Sequence, residues 1–294
     1  MSHDKGKMRE KLGFFRLFHR SIVDPTLYAQ EASSRTSKPV RYILRLVLLA
    51  TLISAIANTA RTIDPADGLG VHLGGILSGC RIDKGVLQPS QPTPYVPRTD
   101  HLAAVLSLLS GNNNMLALLA DTPLVIDTSY TPVAGTVPLP RAVLGRTQVL
   151  SQGGLGMPAA IPYTAFVSKD ATVDLTVERL TAFVRANTVP IFVCFFARDA
   201  FGALGNILSA LLMLAAATYI FKIPRTLRFV THVRLTCYAL TPLVGGGALI
   251  AVTNVHSGWA WYLFFMTSLV VLLRGIDAAS RPTKPAPGTL GSRA

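Results

Sequence analysis

Four stretches of the chain are apolar at nearly every position, and between them hydrophobic residues fall into shorter, periodic runs. The long stretches occupy residues 42–60, 200–221, 235–254 and 257–273. About 20 helical residues cross a hydrocarbon core about 30 Å thick, so each is predicted to be a transmembrane helix. Arg45 falls near the start of the first, where a long cationic stem can reach back to the interface. Residues 101–120 are also apolar, but Gly111, Asn112, Asn113 and Asn114 interrupt them with polar groups that lipid would leave unsatisfied. That stretch is not counted as a span.

The shorter runs have helical or strand periodicity. Met8, Leu12, Phe15, Phe18 and Ile22 recur at three- and four-residue spacing, with Arg9, Arg16 and Arg20 on another face, so residues 7–23 are predicted to form a basic amphipathic helix. Asp24 is a natural N-cap and Pro25 suits a first helical position, predicting a second short helix through Tyr28. Residues 61–199, between the first two spans, open with a glycine-rich stretch (68–79) and a proline-rich one (88–97) that suits an extended linker. Asp100 is placed to cap a helix ending near Ser110. Residues 123–127 read as a strand closed by an Asp-Thr-Ser turn, 142–150 as a hairpin turning at Gly145 and Arg146 with Gly145 at positive φ, and 161–166 as a strand. Asp174 is placed to cap a helix reaching Arg185. The segment is long enough for a domain with its own core.

Charge sets the orientation. Only 15% of residues are charged, against about 25% in a typical soluble domain. The net charge is nevertheless +13. The first 46 residues hold ten Lys/Arg and four Asp/Glu, residues 222–234 hold four basic and no acidic residues, and residues 274–294 hold four and one. Residues 61–186 balance at nine and nine. All of the excess therefore lies in three segments that four spans place on one side, as the positive-inside rule requires. A nucleic-acid surface would need those charges on one soluble face, and no nucleic-acid partner is expected. The fold class that follows is a membrane all-α four-helix bundle, N-in and C-in, with an external α+β domain inserted between the first and second transmembrane helices. The cytoplasmic parts are residues 1–41, the basic loop 222–234 and a disordered tail, 274–294, and the location is a bacterial inner or plasma membrane. Ala55-Ile56-Ala57 imitates a signal cleavage site, but the region before it is far too long for a signal peptide, so the first helix is read as uncleaved.

Candidate chemistry is sparse. There is no glycine-rich phosphate loop, His/Cys metal spacing or Gly-x-Ser-x-Gly elbow, and the six histidines are scattered. No cofactor or metal is expected, and the chain is read as not an enzyme. Cys80, Cys194 and Cys237 give the external domain no internal pair; Cys80 is expected to label with an impermeant reagent if it is exposed, and the other two to stay protected until denaturation. Arg198 and Asp199 are placed near a span end. Thr241, Pro242, Gly245, Gly246 and Gly247 in the third span are candidates for a kink with a close-packing face, or for a hinge. Arg9, Arg16 and Arg20 are candidate contacts to anionic headgroups of the cytoplasmic leaflet.

Two segments carry a resemblance. FFRLFHRSIVDPTLY (residues 14–28) and RLTCYALTP (residues 234–242), with TPLVIDTS (122–129) and AVLGRTQVL (142–150) between them, resemble a family of uncharacterised bacterial membrane proteins typified by the membrane protein of the maltodextrin-utilisation locus. The resemblance implies four spans and an external strand and hairpin, and no catalytic residues. The expected role is a membrane accessory or scaffold protein whose external domain binds an envelope protein partner. The alternative is a component of a small-solute transport system, with sugars among the candidate solutes.

Overall fold

The structure, a computed structural model, describes residues 13–32, 37–97, 99–110, 124–130, 142–152, 158–221, 227–253 and 258–281. Arg9, the predicted helical residues 7–12 and most of the predicted tail lie outside them. The chain divides into two compact units, Met1–Ser54 with Phe196–Ala294, and Ala55–Phe195.

The first unit is built on four helices long and apolar enough to span a bilayer: Lys38–Thr62, Thr188–Ile220, Phe229–Thr253 and Trp259–Ser280. The protein is thus a multi-pass membrane protein with its α+β domain inserted between the first two spans. Before them come α1 (Phe14–Val23) and α2 (Pro25–Glu31). The first span is α3 (Ser37–Thr62) and the second α7 (Thr188–Ile220). At about 1.5 Å per residue, the 33 residues of α7 exceed the membrane core, so polar residues at its start are carried inside a continuous helix. The third span is two helices, α8 (Phe229–Ala239) and α9 (Thr241–Thr253), and the fourth is α10 (Gly258–Ser280).

The stripe of α1 that meets the bundle is Phe14, Leu17, Phe18 and Ser21, at helical spacing. Phe15, predicted on the same stripe as Phe18, is 78% exposed. One helical step of about 100° separates the two faces, and the tertiary partner selects the one carrying Ser21. As predicted, Asp24 caps α2, accepting from Thr26 N at 2.9 Å, with Pro25 in the first turn. Leu27 and Tyr28 of α2 are buried with Tyr42, Leu46, Leu235, Tyr238 and Leu272 in the bundle core.

In the second unit the glycine-rich stretch forms a helix, α4 (Leu69–Ile76), against α6 (Val177–Ala186). A methyl group at Gly70 would overlap the backbone of Thr181, and one at Gly74 would lie 2.6 Å from the Val177 side chain. The glycines therefore permit a close helix crossing. Strands β1 (Arg81–Asp83) and β2 (Val86–Gln88) form a hairpin through Lys84 and Gly85, both at positive φ (49° and 78°), and β7 (Thr172–Asp174) pairs antiparallel with β1. A second sheet has the order β3 (Val125–Ile126), β4 (Ala142–Leu144), β5 (Gln148–Gln152), β6 (Pro158–Pro162), with β3 and β4 parallel. Helix α5 runs over Thr99–Ser110. Cys80, Ile82, Leu87, Ile126, Tyr163 and Leu175 form the core.

Several local expectations change. The β4–β5 hairpin exists, but Leu144 pairs with Val149, and Gly145 N donates to Gln148 O at 3.0 Å. The turn is therefore shifted by one residue, to Arg146 and Thr147, and Gly145 is not at positive φ. Its twist needs no mirror-image turn; the true turn of that kind is Lys84-Gly85. The strand predicted over 161–166 ends at Pro162, and Tyr163–Ala165 is a 3₁₀ turn. The cap of α6 is Thr176, whereas Asp174 lies in β7 and pairs with Arg81 at 2.5 Å. The Asp127 turn forms as expected, Oδ1 accepting from Ser129 N at 2.9 Å and Ser129 Oγ at 2.6 Å.

Candidate functional site

Within the first unit the two segments FFRLFHRSIVDPTLY and RLTCYALTP, more than two hundred residues apart, pack on one another, and the kink residues lie at their junction. Pro242 has no N–H for the carbonyl of Tyr238, four residues earlier. The Thr241 hydroxyl takes that place, donating to Tyr238 O at 2.6 Å. Leu243 N donates at 3.2 Å to Ser268 Oγ of α10. The broken ladder is thus satisfied from within the helix and from its neighbour, the usual way a membrane helix accommodates proline. Val244 N donates to Leu240 O at 3.0 Å, so α9 resumes immediately.

Thr241 has one proton, committed to Tyr238, so its oxygen accepts from the others. Ser21 Oγ lies 2.9 Å from it, its one proton shared with Phe18 O at 2.7 Å, and the Tyr42 hydroxyl lies 2.8 Å away; Ser21 and Tyr42 are 3.2 Å apart. Ser21 and Thr241 are both 0% exposed. The Tyr28 hydroxyl donates to Ser21 O at 2.7 Å, and burial raises it well above the ordinary tyrosine range, keeping it a donor. The Tyr28 ring meets Tyr238 edge-on at 6.4 Å, and Tyr42 meets Tyr238 at 5.2 Å. Three elements distant in sequence are therefore joined by hydroxyls that would be costly to bury unpaired.

The glycine triplet faces three different partners. Gly245 is turned to Phe18 of α1, with 3.6 Å available to an added methyl group. A methyl at Gly246 would overlap the Phe264 ring of α10, and one at Gly247 would lie 2.9 Å from Trp261. Gly246 and Gly247 provide close approach to α10, the close-packing role expected of small residues in membrane helices.

No protein-family model, characterised protein or solved structure matches the chain. Its chemistry is accordingly read from its own geometry.

Of the arginines singled out, Arg16 is on the exposed side of α1, while Arg20 is turned to the N-cap of α2: its Nε donates to Asp24 Oδ2 at 2.7 Å. Asp24 also accepts from Thr26 Oγ1 at 2.6 Å. The Thr26 hydroxyl and the Arg20 guanidinium hold the Asp24 carboxyl below the usual carboxylate range. Arg234 of α8 donates to Ala32 O at 3.3 Å, at the other end of α2.

Arg198 and Asp199 immediately precede the predicted span 200–221, on the same continuous helix. They lie inside α7, where Arg198 Nε and Nη2 donate to Asp199 Oδ1 at 2.9 and 2.7 Å and Ser54 of α3 donates to Oδ2 at 2.6 Å. The pairing leaves the helix no net charge there, which lowers the cost of holding both beside an apolar span. Thr241, Pro242 and the glycine triplet stood out in the sequence, whereas Ser21, Tyr42, Ser54 and Ser268 did not. A serine or tyrosine in an apolar run has no distinctive spacing; only the opposing helix reveals its partner. Among the described residues, no group of three or more His, Cys, Asp or Glu converges on one point.

Proposed function

We propose that the protein is a non-enzymatic membrane accessory protein whose four-helix bundle anchors an α+β domain that binds another envelope protein. The observation that carries this reading is the inserted domain itself: it has its own core, yet Val96, Phe166 and Phe183 are each at least half exposed. Exposed apolar side chains on a folded domain are the raw material of a recognition surface. The bundle's rigidly satisfied break suits an anchor. Lipid contact through Arg9, Arg16 and the basic segments, N-terminus inward, completes the proposal, since anionic headgroups contribute about 1 kcal/mol per Lys/Arg near the surface. Photo-crosslinking from Phe166 or Val96 in living cells, followed by mass spectrometry, should yield one dominant envelope protein. Absence of any crosslink from either position overturns the reading.

A second reading, solute transport, is favoured by the α8–α9 discontinuity, because broken helices build many transporter sites. It requires Pro242→Ala to abolish uptake while the protein remains folded. Unchanged uptake of the substrates of neighbouring pathways in a deletion strain removes it.

A further inference from the structure

Two histidines that are 29 residues apart in the sequence face one another in the inserted domain. His72 on α4 and His101 near the start of α5 present their Nδ1 atoms to each other at 3.3 Å. The rings are 5.6 Å apart and inclined at 51°. Behind His72, its Nε2 lies 3.0 Å from Asp67 Oδ1. That contact places a proton on Nε2, which in the neutral ring makes Nδ1 the acceptor facing His101. The His101 ring occupies its position because residue 75 is glycine: a methyl group there would lie 2.5 Å from the imidazole Nε2.

We propose that His72 and His101 form a binding site for a borderline divalent transition-metal ion, Zn²⁺ or Cu²⁺, with Asp67 as the outer carboxylate that orients His72. Three features converge on this. Two nitrogens bound at about 2.0–2.1 Å in a tetrahedral arrangement are separated by about 3.3 Å, the spacing present here. The glycine at position 75 leaves the His101 ring room beside α4, so packing brings the two nitrogens together. A carboxylate on the far nitrogen of a ligating histidine is the regular outer-shell arrangement, fixing tautomer and ring orientation. Imidazole pairs suit zinc and copper rather than magnesium or calcium. His72 is largely enclosed, at 13% side-chain exposure, whereas Asp67 is 83% exposed. Two protein ligands leave the remaining positions to water, so the site is an open, exchangeable one rather than a closed structural centre. It is independent of the accessory role proposed above.

The test uses the full-length protein in mild detergent, purified by a histidine-free tag and stripped with chelator. Titration with Zn²⁺ should show a single saturable ion per chain, and the EPR spectrum of bound Cu²⁺ should carry the hyperfine signature of two equatorial imidazole nitrogens. His72→Gln or His101→Gln should abolish saturable binding, and Asp67→Asn should weaken it about tenfold. A Cu²⁺ spectrum with fewer than two imidazoles overturns the proposal without any variant. So does equal binding by the wild type and the His72→Gln/His101→Gln protein, whose unfolding in metal-free buffer is compared in parallel. A wild type that binds neither ion means the two imidazoles share a proton and nothing more.

Discussion

Ser21 Oγ donates a 2.9 Å hydrogen bond to Thr241 Oγ1, tying α1 to the broken third span across 220 residues of sequence. Both side chains are buried; Thr241→Val leaves Tyr238 O without its donor, at a cost of about 1–3 kcal/mol, whereas after Ser21→Ala the Thr241 hydroxyl keeps Tyr42 and Tyr238 O and the cost is about 1 kcal/mol. Ser21→Ala and Thr241→Val should each lower thermal stability in detergent. Because they share one interaction, the double variant should lose less than the sum, with a coupling of about 0.5–3 kcal/mol. Strict additivity would show the bond to be energetically idle.

The proline and the threonine should also couple, with the opposite sense. Pro242→Ala alone restores a backbone donor and should change stability by less than about 1 kcal/mol, because Tyr238 O is already satisfied by Thr241. In the Thr241→Val background the same substitution supplies that carbonyl with an N–H and should recover part of the loss. Unfolding of the four proteins in a mutant cycle checks the sign.

The three glycines should rank by what they face. Gly245→Ala has ordinary room against Phe18 and removes a flexible residue from a helix, so it should be neutral or stabilising by up to about 1 kcal/mol. Gly246→Ala forces the Phe264 ring to move and should cost about 1–3 kcal/mol, with Gly247→Ala between the two. Phe264→Leu should partly rescue Gly246→Ala. Three equal effects would contradict the packing described.

The α1–α2 junction should be acid-sensitive. The Asp24 pKa is depressed below its ordinary value of 3.8, the Thr26 hydroxyl being the largest cause. Its stabilisation is therefore full above the ordinary value and is lost as pH falls through the lower, folded value. Asp24→Asn retains an N-cap but lacks the Arg20 ion pair, and should flatten stability in that window; Asp24→Ala should also lose the cap, about 1 kcal/mol. Unfolding curves across the acid range measure both.

Cysteine chemistry should report the burial of the domain. Labelling of Cys80 is expected only if it is exposed, and that condition is not met: it is 2% exposed, with the Tyr95 hydroxyl 3.5 Å from its sulfur. An impermeant maleimide should leave Cys80 unmodified until denaturant is added. Cys194, expected to be protected, is exposed on α7. Phe166→Cys should label from outside intact cells if the domain is external; labelling only after lysis reverses the orientation.

Much of this architecture follows from the one-dimensional pattern, because lipid imposes a constraint that composition alone can meet. Runs of about 20 apolar residues located the four spans, and the Asp24-Pro25 cap was legible because a cap is a local arrangement of side chain and backbone. The boundaries were less legible. α7 begins at Thr188, ahead of the predicted span at residue 200, and Arg198 and Asp199 lie on that added stretch, paired with each other and with Ser54.

The tertiary structure decided whatever depends on a partner distant in sequence. Periodicity showed that residues 7–23 are amphipathic but put Phe15 and Phe18 on one face; docking onto Gly245 and Thr241 selected Phe14, Leu17, Phe18 and Ser21. The Thr241-Pro242 kink was visible in sequence, because proline's missing donor is an intrinsic property. That Thr241 repairs it and Ser268 accepts the next N–H was not, since a hydroxyl in an apolar run carries no spacing signal. His72 and His101 illustrate the same limit: their meeting requires α4 and α5 to pack with a glycine between them, a distance in space that no distance along the chain encodes.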